Sequence, residues 1–432
     1  MHTVRRAIKS VIPHKVFRAI EPAGHLLEAA VVSTAHGRPA HNMRVIGVTG
    51  TNGKTTTCFM IHRMLVEAGY NVALMTTVAY GIGNDIKPQI AHMTTVSAPE
   101  LNRRIKDFKN QGVEWLVLEV TSHALAQHRV WGVPFEIAVL TNITHEHLDY
   151  HGTFEHYLRA KRKLFTLAAR HKNGFGVINA DDKNADAFTE AIPKCVTYGT
   201  KHGDLHARDI ELRSDGSRYI AEVGGDHYVM HVNIPGEFNV SNSLAALAVG
   251  RHLGLSKRQI EQGIAALKGV EGRMDTIDEG QDFGVIIDFA HTPDSFERLL
   301  GDVRKSTKGK LVAVFGSAGR RDEAKRGIQG KIAGKYCDEV VLTEEDDRDI
   351  DGNKILDQIA KGAEQSGKTR EKDLFLILDR PSAIRFAMKR VKTKNDVVIL
   401  LGKGHEKTIE RADGEHPWNE ADEARNAIQA LK

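Results

Sequence analysis

At 432 residues the chain is too long for one ordinary hydrophobic core, so its length indicates two or three domains. Charged residues make up 27% and hydrophobic residues 41%, the balance of a globular protein, and a formal net charge of +4 excludes a general attraction to nucleic acid. The three cysteines lie far apart, which excludes a disulfide framework and a zinc-binding spacing and is typical of the cytoplasm. No stretch reaches the roughly 18 apolar residues that a membrane span needs.

Residues 1–42 are predicted to form a short helical leader. Apolar residues recur there at helical spacing, with basic residues between them and a break at Pro13: Val4, Ile8, Val11, Ile12, Val16 and Ile20. An amphipathic helix of this kind either packs on the protein itself or lies on a membrane surface. The sequence leaves both open, so a peripheral membrane contact is one of two expectations for the leader.

Residues 47–56 read Gly-Val-Thr-Gly-Thr-Asn-Gly-Lys-Thr-Thr and lie between an apolar run and a helical stretch. In such a loop, backbone N–H groups hold phosphate oxygens, Lys54 adds a cation and Thr55 reaches Mg²⁺. Val48 stands where the strict phosphate-loop pattern has its first glycine. The loop still predicts binding of a nucleoside triphosphate through these residues: Gly50, Thr51, Asn52, Gly53, Lys54, Thr55 and Thr56.

From Met43 short apolar runs alternate with longer helical stretches, the pattern of β-α-β units around a mostly parallel sheet. The strand candidates are Val45–Val48, Trp115–Val120, Ile137–Leu140 and Gly176–Ile178. Between residues 204 and 234 the residues alternate and Gly-Gly turns occur, which predicts an antiparallel insert, and a helix is predicted over 241–253. We therefore predict an α/β fold with a P-loop central domain over residues 43–270.

Residues 271–432 are predicted to form a second, doubly wound α/β domain. Five apolar strand candidates alternate there with helical stretches: Val285–Asp288, Lys310–Phe315, Glu339–Thr343, Leu374–Leu378 and Val397–Leu401.

Several polar residues follow predicted strands closely enough to suggest chemistry. Glu119 closes an apolar strand, and carboxylates are rare in buried strands unless they are paired or bind metal. His145, His147 and His151 follow another strand and are either ligand-binding or solvated loop residues. Lys161, by residue type alone, is a surface lysine.

Other candidates carry weaker signals. Thr94, Thr95 and Arg129 are suited to an anionic substrate, although such residues are common. Asp288 ends a strand and either receives a ribose hydroxyl or caps the next element. Arg273 either reaches a γ-phosphate or pairs with a carboxylate.

In this order the motifs closely resemble the Mur ligase family, the ATP-dependent amide-bond-forming enzymes of peptidoglycan precursor synthesis. The resemblance runs from about residue 43 to the C-terminus and implies that the glycine-rich loop binds ATP. It also implies that Thr55, Glu119 and His147 hold metal, with two Mg²⁺ ions in all. Lys161 matches a lysine that is carbamylated in many members, where the carbamate helps to hold the second Mg²⁺.

The resemblance also assigns nucleotide contacts outside the loop. Asn239 and Asn242 are similar to the family's adenine-side motif. Arg273, Asp288 and His291 are similar to its nucleotide contacts from the C-terminal domain. The catalytic residues that follow from this likeness are Lys54, Glu119, His147 and Lys161.

Within the family, residues 119–129, 147–153 and 402–406 resemble the branch of the UDP-N-acetylmuramoyl-tripeptide synthetases, which add the third residue. This likeness implies contacts with a muramoyl-dipeptide, made by Thr94, Thr95, Thr121 and Arg129. It also implies that Arg348, Gly402 and Glu406 hold the incoming amino acid, expected to be meso-diaminopimelate. Members that add diaminopimelate usually carry Asp-Asn-Pro-Arg where this chain has Glu345-Asp346-Asp347-Arg348. The added acids could instead favour lysine or ornithine.

The resemblance therefore implies a cytoplasmic ligase of cell wall biogenesis, needed for cell shape and division, that acts on small molecules and is monomeric. Family members carry a UDP-binding domain before the ATP loop, whereas 46 residues precede Gly47 here. We accordingly expect the uridine end of the acceptor not to be held in the usual way. A UDP-free, lipid-linked or folylpolyglutamate-like carboxylate is the alternative acceptor.

Overall fold

The computed structural model describes residues 14–89, 93–144, 146–213 and 215–431, without the side chains of residues 14–23, 148 and 149. His145 and most of the predicted membrane-contacting helix therefore lie outside the described residues. The chain divides into two compact units. Unit 1 comprises Met1–Asp209, Tyr219–Met230 and Val240–Ala266, and unit 2 comprises Ile210–Arg218, His231–Asn239 and Leu267–Lys432. The domain boundaries expected from the sequence stay predictions.

An eleven-stranded sheet runs through the first part of the chain. Its strands are β1 (Arg44–Thr49), β2 (Val72–Met75), β3 (Ala79–Ile82), β4 (Asp85–Pro88), β5 (Trp115–Glu119), β6 (Phe135–Leu140), β7 (Phe175–Asn179), β8 (Cys195–Gly199), β9 (Leu205–Arg213), β10 (Gly216–Val223) and β11 (Asp226–Val232). Their order is β11-β10-β9-β8-β7-β6-β1-β5-β2-β3-β4.

The middle of this sheet is parallel, as predicted. β1 pairs in parallel with β5 and β6, and the parallel pairing continues to β2 on one side and to β9 on the other. The neighbours β10 and β11 are joined by Gly224 and Gly225, both at positive φ, so this pair must be antiparallel. The parallel strand candidates and the antiparallel insert are therefore confirmed.

Nine helices with described bounds accompany these strands: α1 (His14–Ala35), α2 (Lys54–Glu67), α3 (Ala98–Asn110), α4 (Ser122–Ala126), α5 (Leu148–His151), α6 (Phe154–Ala168), α7 (Ala185–Thr189), α8 (Glu237–His252) and α9 (Lys257–Ala265). α1 packs on α3. The predicted break at Pro13 lies outside the described residues. Among the described residues, no helix combines the length and the apolar character that crossing a membrane requires.

Unit 2 contains a six-stranded sheet in the order β12-β13-β17-β14-β15-β16 and a hairpin of two short strands. The strands are β12 (Asp275–Thr276), β13 (Gly284–Asp288), β14 (Leu311–Phe315), β15 (Glu339–Leu342), β16 (Leu374–Leu376), β17 (Val397–Leu401), β18 (Thr408–Arg411) and β19 (Gly414–Pro417). The helices are α10 (Pro293–Ser306), α11 (Ala324–Tyr336), α12 (Gly352–Glu364), α13 (Arg380–Met388) and α14 (Glu420–Gln429).

The strands β13 to β17 are mutually parallel, which confirms the second doubly wound α/β domain. Asp288 pairs with Leu401 in register, so the loops that follow β13 and β17 leave the sheet at the same edge.

A buried ion pair fixes two of the loops at that edge. Arg380 and Glu420 are both fully buried, and the two side chains lie 2.5 Å apart. Arg380 also donates to the carbonyl oxygens of Glu344 and Leu401. The guanidinium therefore ties the ends of β15 and β17 together.

Candidate active site

The glycine-rich loop leaves β1 and enters α2, and two of its glycines lie too close to other groups for a side chain. Gly53 has a φ of 82° and precedes Lys54, the first residue of α2. A Cβ at Gly53 would lie 2.4 Å from Oδ1 of Asn242, and one at Gly50 would lie 1.8 Å from Oγ1 of Thr141. This close packing of bare backbone at a helix N-terminus is what a phosphate-binding loop requires.

Residues after β6 hold the loop in place. The Asn142 side chain accepts from the backbone N–H of Asn52 and donates to its carbonyl oxygen, both at 2.9 Å. The Thr51 hydroxyl lies 2.8 Å from the Tyr157 hydroxyl. The sequence analysis missed Asn142 and Tyr157. Asn142 stands in the polar stretch after a central strand, which is the signal that could have identified it.

Two lysine amines meet this loop, and both donate to its carbonyl oxygens. Nζ of Lys54 lies 2.7 Å from the oxygen of Thr51, and Nζ of Lys161 lies 2.5 Å from the oxygen of Gly50. Among the described residues, neither lysine forms an ion pair with a carboxylate. The nearest acids, Glu146 and Glu119, act on Lys161 only from beyond ion-pair distance.

The expectation from residue type that Lys161 lies on the surface is wrong. Lys161 shares the inward stripe of α6 with Tyr157 and Leu164 and is 2% exposed. Burial, reinforced by the nearby charge of Lys54, lowers the pKa of Lys161 well below its ordinary value. Its amine is therefore driven toward the neutral form, which is nucleophilic.

Glu119 ends β5 and is 1% exposed. Its carboxylate accepts from the Thr55 hydroxyl at 3.0 Å, and from the backbone N–H and hydroxyl of Thr77 at 3.0 and 3.1 Å. A buried carboxylate beside a threonine hydroxyl at a phosphate loop is a donor set that suits Mg²⁺. Thr77, just after β2, was not identified from the sequence.

A row of hydroxyl groups connects Glu119 with the predicted acceptor residues. The Thr77 hydroxyl, which donates to Glu119, lies 2.9 Å from the hydroxyl of Thr94 and can accept its proton. The Thr95 hydroxyl donates to the carbonyl oxygen of Glu119, also at 2.9 Å. The backbone N–H of Thr121 donates to the Thr95 hydroxyl at 3.1 Å, and Thr121 caps α4.

Arg129 completes this arrangement, because its guanidinium donates to the carbonyl oxygen of Thr95 at 2.8 Å. The structure therefore brings all four predicted acceptor residues together beside Glu119.

His147 follows β6 in a left-handed conformation with a φ of 56°. Its ring contacts that of His123 with centroids 4.6 Å apart, and Nε2 lies 3.7 Å from a carboxylate oxygen of Glu146. Within the ranges that the structure describes, no three His, Cys, Asp or Glu side chains converge on a possible metal position. The expected magnesium ligands instead include a hydroxyl and a modified lysine.

The remaining candidates for ATP binding in the loop and on the adenine side are buried. Thr56 lies inside α2, and Asn242 packs against Gly53 as described above. Asn239 donates through its side chain to the carbonyl oxygen of Pro235 at 2.7 Å.

In unit 2, Asp288 ends β13 and accepts the backbone N–H groups of Met274 and Ala290, each at 2.8 Å. Burial raises the pKa of this carboxyl, while Arg273 opposes the shift. The Arg273 guanidinium lies 4.9 Å from the ring centroid of Phe289, and its Nε is buried without a described partner. The Asp288 carboxylate thus binds backbone N–H groups on two segments, whereas α10 is capped by Thr292. The expected contact of Asp288 with a ribose hydroxyl stays a prediction.

His291 lies on the same loop, and its Nδ1 donates to the carbonyl oxygen of Phe289 at 2.9 Å. The rings of His291 and His405 both contact that of Phe289, with centroids 4.8 and 4.9 Å apart. The three predicted nucleotide residues of unit 2 therefore lie around Phe289.

A second group of charged residues in unit 2, which we call the Asp346 cluster, consists of Asp346, Arg348, Lys403, Glu406 and Glu410. Lys403 is 1% exposed, and its Nζ contacts Asp346 at 2.8 Å and Glu406 at 2.6 Å. Nε of Arg348 lies 2.7 Å from Glu410. The predicted amino-acid residues Arg348 and Glu406 are thus in one cluster, and each already has a partner of opposite charge.

Gly402 borders this cluster at a φ of 99°, and a Cβ there would lie 2.5 Å from Oε2 of Glu345. Burial, together with the neighbouring acids, raises the pKa of Asp347 to about 6. Closely spaced carboxyl groups therefore surround Arg348 at Glu345, Asp346 and Asp347.

Comparison with known proteins gives two family matches. The profile of the Mur ligase middle domain matches residues 48–250. The profile of the Mur ligase, glutamate ligase domain matches residues 272–404.

Individual relatives agree with these matches. A UDP-N-acetylmuramyl-tripeptide synthetase from Roseiflexus sp. strain RS-1 is 40% identical over 95% of this chain and 83% of its own length. A UDP-N-acetylmuramoyl-L-alanyl-D-glutamate--2,6-diaminopimelate ligase from Clostridium tetani strain Massachusetts / E88 is 39% identical over 88% of this chain and 76% of its own. A solved structure of a ligase with that same name superposes with a TM-score of 0.66 at 30% identity, over 95% of this chain and 83% of that one.

Proposed function

The chain belongs to the Mur ligase family and is an ATP-dependent ligase of peptidoglycan precursor synthesis, and we propose that it joins meso-diaminopimelate to the terminal carboxylate of a muramoyl-dipeptide. Relatives that bear the tripeptide synthetase and diaminopimelate ligase names, at 40% and 39% identity, support this choice of substrates. We place the reaction in the cytoplasm, where ATP is available.

The row of groups from Thr55 through Glu119 to Thr95 is the observation that carries the proposal. Thr55 is the second residue of α2, at the phosphate end of the loop, and Thr95 contacts both Thr121 and Arg129. A carboxylate acceptor held by Arg129 and these hydroxyls would therefore lie beside the residues that hold the phosphates.

Two magnesium ions fit the donor groups of this site. Thr55 and Glu119 would hold one of them, and His147 together with carbamylated Lys161 would hold the other. The buried, deprotonation-prone amine of Lys161 suits carbamate formation, because only a neutral amine reacts with carbon dioxide. When bound, the ions neutralise charge on the phosphate oxygens.

We propose that the reaction has two steps. The acceptor carboxylate attacks the γ-phosphorus of ATP, which gives an acyl phosphate and releases ADP. The amine of the incoming amino acid then attacks the acyl carbon, the tetrahedral intermediate expels phosphate, and the nitrogen loses a proton.

The protein's contribution is positioning and electrostatics. Lys54 and the loop N–H groups hold the phosphates, with Asn239 and Asn242 on the adenine side. Arg273, Asp288 and His291 are assigned to the nucleotide as well. Arg348, Gly402 and Glu406 hold the distal end of the amino acid.

The acids around Arg348 favour a second candidate, addition of lysine or ornithine. Glu345, Asp346 and Asp347 replace a stretch that carries one acid in most diaminopimelate-adding members, and Arg348 is already paired with Glu410. A basic side chain would meet an acidic surrounding there.

One matrix of assays decides between these candidates. Purified enzyme is incubated with ATP, Mg²⁺ and each acceptor (UDP-linked, lipid-linked and free muramoyl-dipeptide, and a folylpolyglutamate precursor) against each amino acid. Phosphate release and product mass are recorded. We expect diaminopimelate to be added to a muramoyl-dipeptide. Product formation with lysine in preference to diaminopimelate, or with the folate acceptor alone, would refute the proposal.

A further inference from the structure

The Arg348 guanidinium has no pair of adjacent nitrogens without a partner that a second carboxylate could bind. A guanidinium binds a carboxylate best through two parallel N–H groups on one edge. Nε of Arg348 donates to Glu410 at 2.7 Å, and Nη1 donates to the carbonyl oxygen of Gly319 at 2.6 Å. One nitrogen of each such edge is thus engaged, so a substrate carboxylate that binds both nitrogens of an edge competes with one of these two partners.

Of the two partners, Glu410 is the one that can leave. Gly319 contributes a backbone oxygen and is itself held by its N–H bond to the carbonyl oxygen of Asp346, at 2.8 Å. The side chain of Glu410 is 44% exposed, so its carboxylate can turn into water. Exposed ion pairs are weak, because water solvates both charges almost as well.

The backbone of Glu410 would stay in place when its side chain turns away. Its N–H donates to Oδ1 of Asp346 at 3.0 Å, and its carbonyl oxygen accepts the N–H of Arg348 at 3.0 Å. Release of the carboxylate therefore needs only side-chain rotation, and truncation of the side chain leaves both backbone bonds intact.

We propose that Glu410 is an internal substitute for the distal carboxylate of the incoming amino acid: it occupies Arg348 in the free enzyme and gives way when a carboxylate-bearing side chain binds. This inference rests on the proposed function and adds a specificity-determining residue to it. Displacing Glu410 weakens the binding of diaminopimelate. A side chain that ends in an amine alone gains nothing from the displacement, and it benefits from an arginine that is already neutralised.

The variant Glu410→Ala tests this arrangement in the full-length enzyme with ATP, Mg²⁺ and the muramoyl-dipeptide. We expect the KM for diaminopimelate to fall by about two- to fivefold, the range of an exposed ion pair, while the KM for ATP stays constant. The KM or inhibition constant of lysine should not fall. Glu415→Ala is the matched control, because Glu415 is exposed, carries the same charge and lies directly across the β18–β19 pair from Glu410.

A double-mutant cycle with Arg348→Ala identifies the pair as the cause. In the Arg348→Ala background, Glu410→Ala should leave the KM for diaminopimelate unchanged. Three results would overturn the inference. The first is a KM for diaminopimelate that is unchanged or higher in Glu410→Ala. The other two are a fall in this KM that also occurs in the Arg348→Ala background, and an equal fall in Glu415→Ala. If the wild-type enzyme adds diaminopimelate but any of these three results is found, only the inference about Glu410 is wrong and the proposed function stands. A wild-type enzyme that adds none overturns both.

Discussion

The ATP loop and the Asp346 cluster both present cations for substrates, but they are stabilised in different ways. At the loop, Lys54 and Lys161 donate to backbone carbonyl oxygens, and no described carboxylate pairs with either. In the cluster, Lys403 contacts two acids and Arg348 contacts one. At the loop, carbonyl oxygens leave the positive charge of Lys54 without a carboxylate partner, and burial drives Lys161 toward its neutral form. In the cluster, the acids neutralise the cations.

This difference has a consequence for how each region binds its ligand. Phosphate groups can add to the loop without displacing an acid, so their full attraction contributes to binding. A ligand of the cluster must displace acids that already contact the cations. Its binding free energy is therefore the small difference between the cation–ligand interaction and the cation–acid interaction that it replaces. We therefore expect substitutions at the loop to lower activity more than substitutions in the cluster do. Substitutions in the cluster should instead change which amino acid the enzyme prefers.

The largest effect is expected for Lys54→Ala. Removing this ammonium takes away a charge that the triphosphate meets directly, and loss of one such group lowers kcat by about 10²–10³-fold. ADP release measures the effect, and an unchanged melting temperature shows that the fold is intact. Lys106→Ala, at an exposed position of α3, is the control. Phosphate release near the wild-type rate would refute the loop's assignment.

A loss of about 10²-fold is expected for Lys161→Ala, and added bicarbonate should not restore activity. The reason is that the proposed carbamate is a metal ligand, and alanine cannot form it. Carbon-13 NMR with labelled bicarbonate should show a carbamate carbonyl in the wild type that the variant lacks. A crystallographic map at neutral pH with an unmodified amine far from any metal would contradict the carbamate.

The same two regions show how far the sequence alone can lead. The strands, the insert and the loop were predictable because periodicity and the Gly-Lys-Thr pattern are local signals. The burial of Lys161 was not, because residue type says nothing about which face of α6 turns inward. The partners in the Asp346 cluster were not predictable either. Asp346 and Lys403 are 57 residues apart in the sequence, and their pairing depends on how two loops leave one sheet edge.

An intermediate effect is expected for Lys403→Met. Without the buried ammonium, Asp346 and Glu406 repel each other, so the KM for diaminopimelate should rise by about tenfold while that for ATP changes little. Burial raises the pKa of Glu406 and Lys403 opposes that shift, so without Lys403 the pKa of Glu406 should rise further and the acidic limb of kcat/KM for diaminopimelate should move to higher pH. Lys403→Arg should retain most of the wild-type profile. Equal losses for both substrates with an unshifted pH profile would mean that Lys403 acts only through stability.

The smallest effect is expected for the stability of Lys161→Met. This substitution should raise the stability of the fold, whereas loss of Lys161 lowers activity. The lowered pKa of Lys161 means that the unfolded chain binds a proton that the folded chain rejects. This difference penalises folding below the ordinary lysine pKa of about 10.4, and the penalty grows as the pH falls toward the lowered folded value. Methionine removes the penalty, and against it stands the lost hydrogen bond to Gly50, which contributes about 1 kcal/mol.

In buffer free of metal, nucleotide and bicarbonate, Lys161→Met should therefore melt about 2–4 °C above the wild type at pH 7, which corresponds to about 1 kcal/mol for a unit of this size. The difference should shrink as the pH approaches 10, because the wild-type penalty disappears there. Calorimetry across this range measures it, with the exposed Lys172→Met as a control that should show no such trend. A variant that melts below the wild type at pH 7, or by a margin independent of pH, would show that the Gly50 hydrogen bond outweighs the burial of the amine.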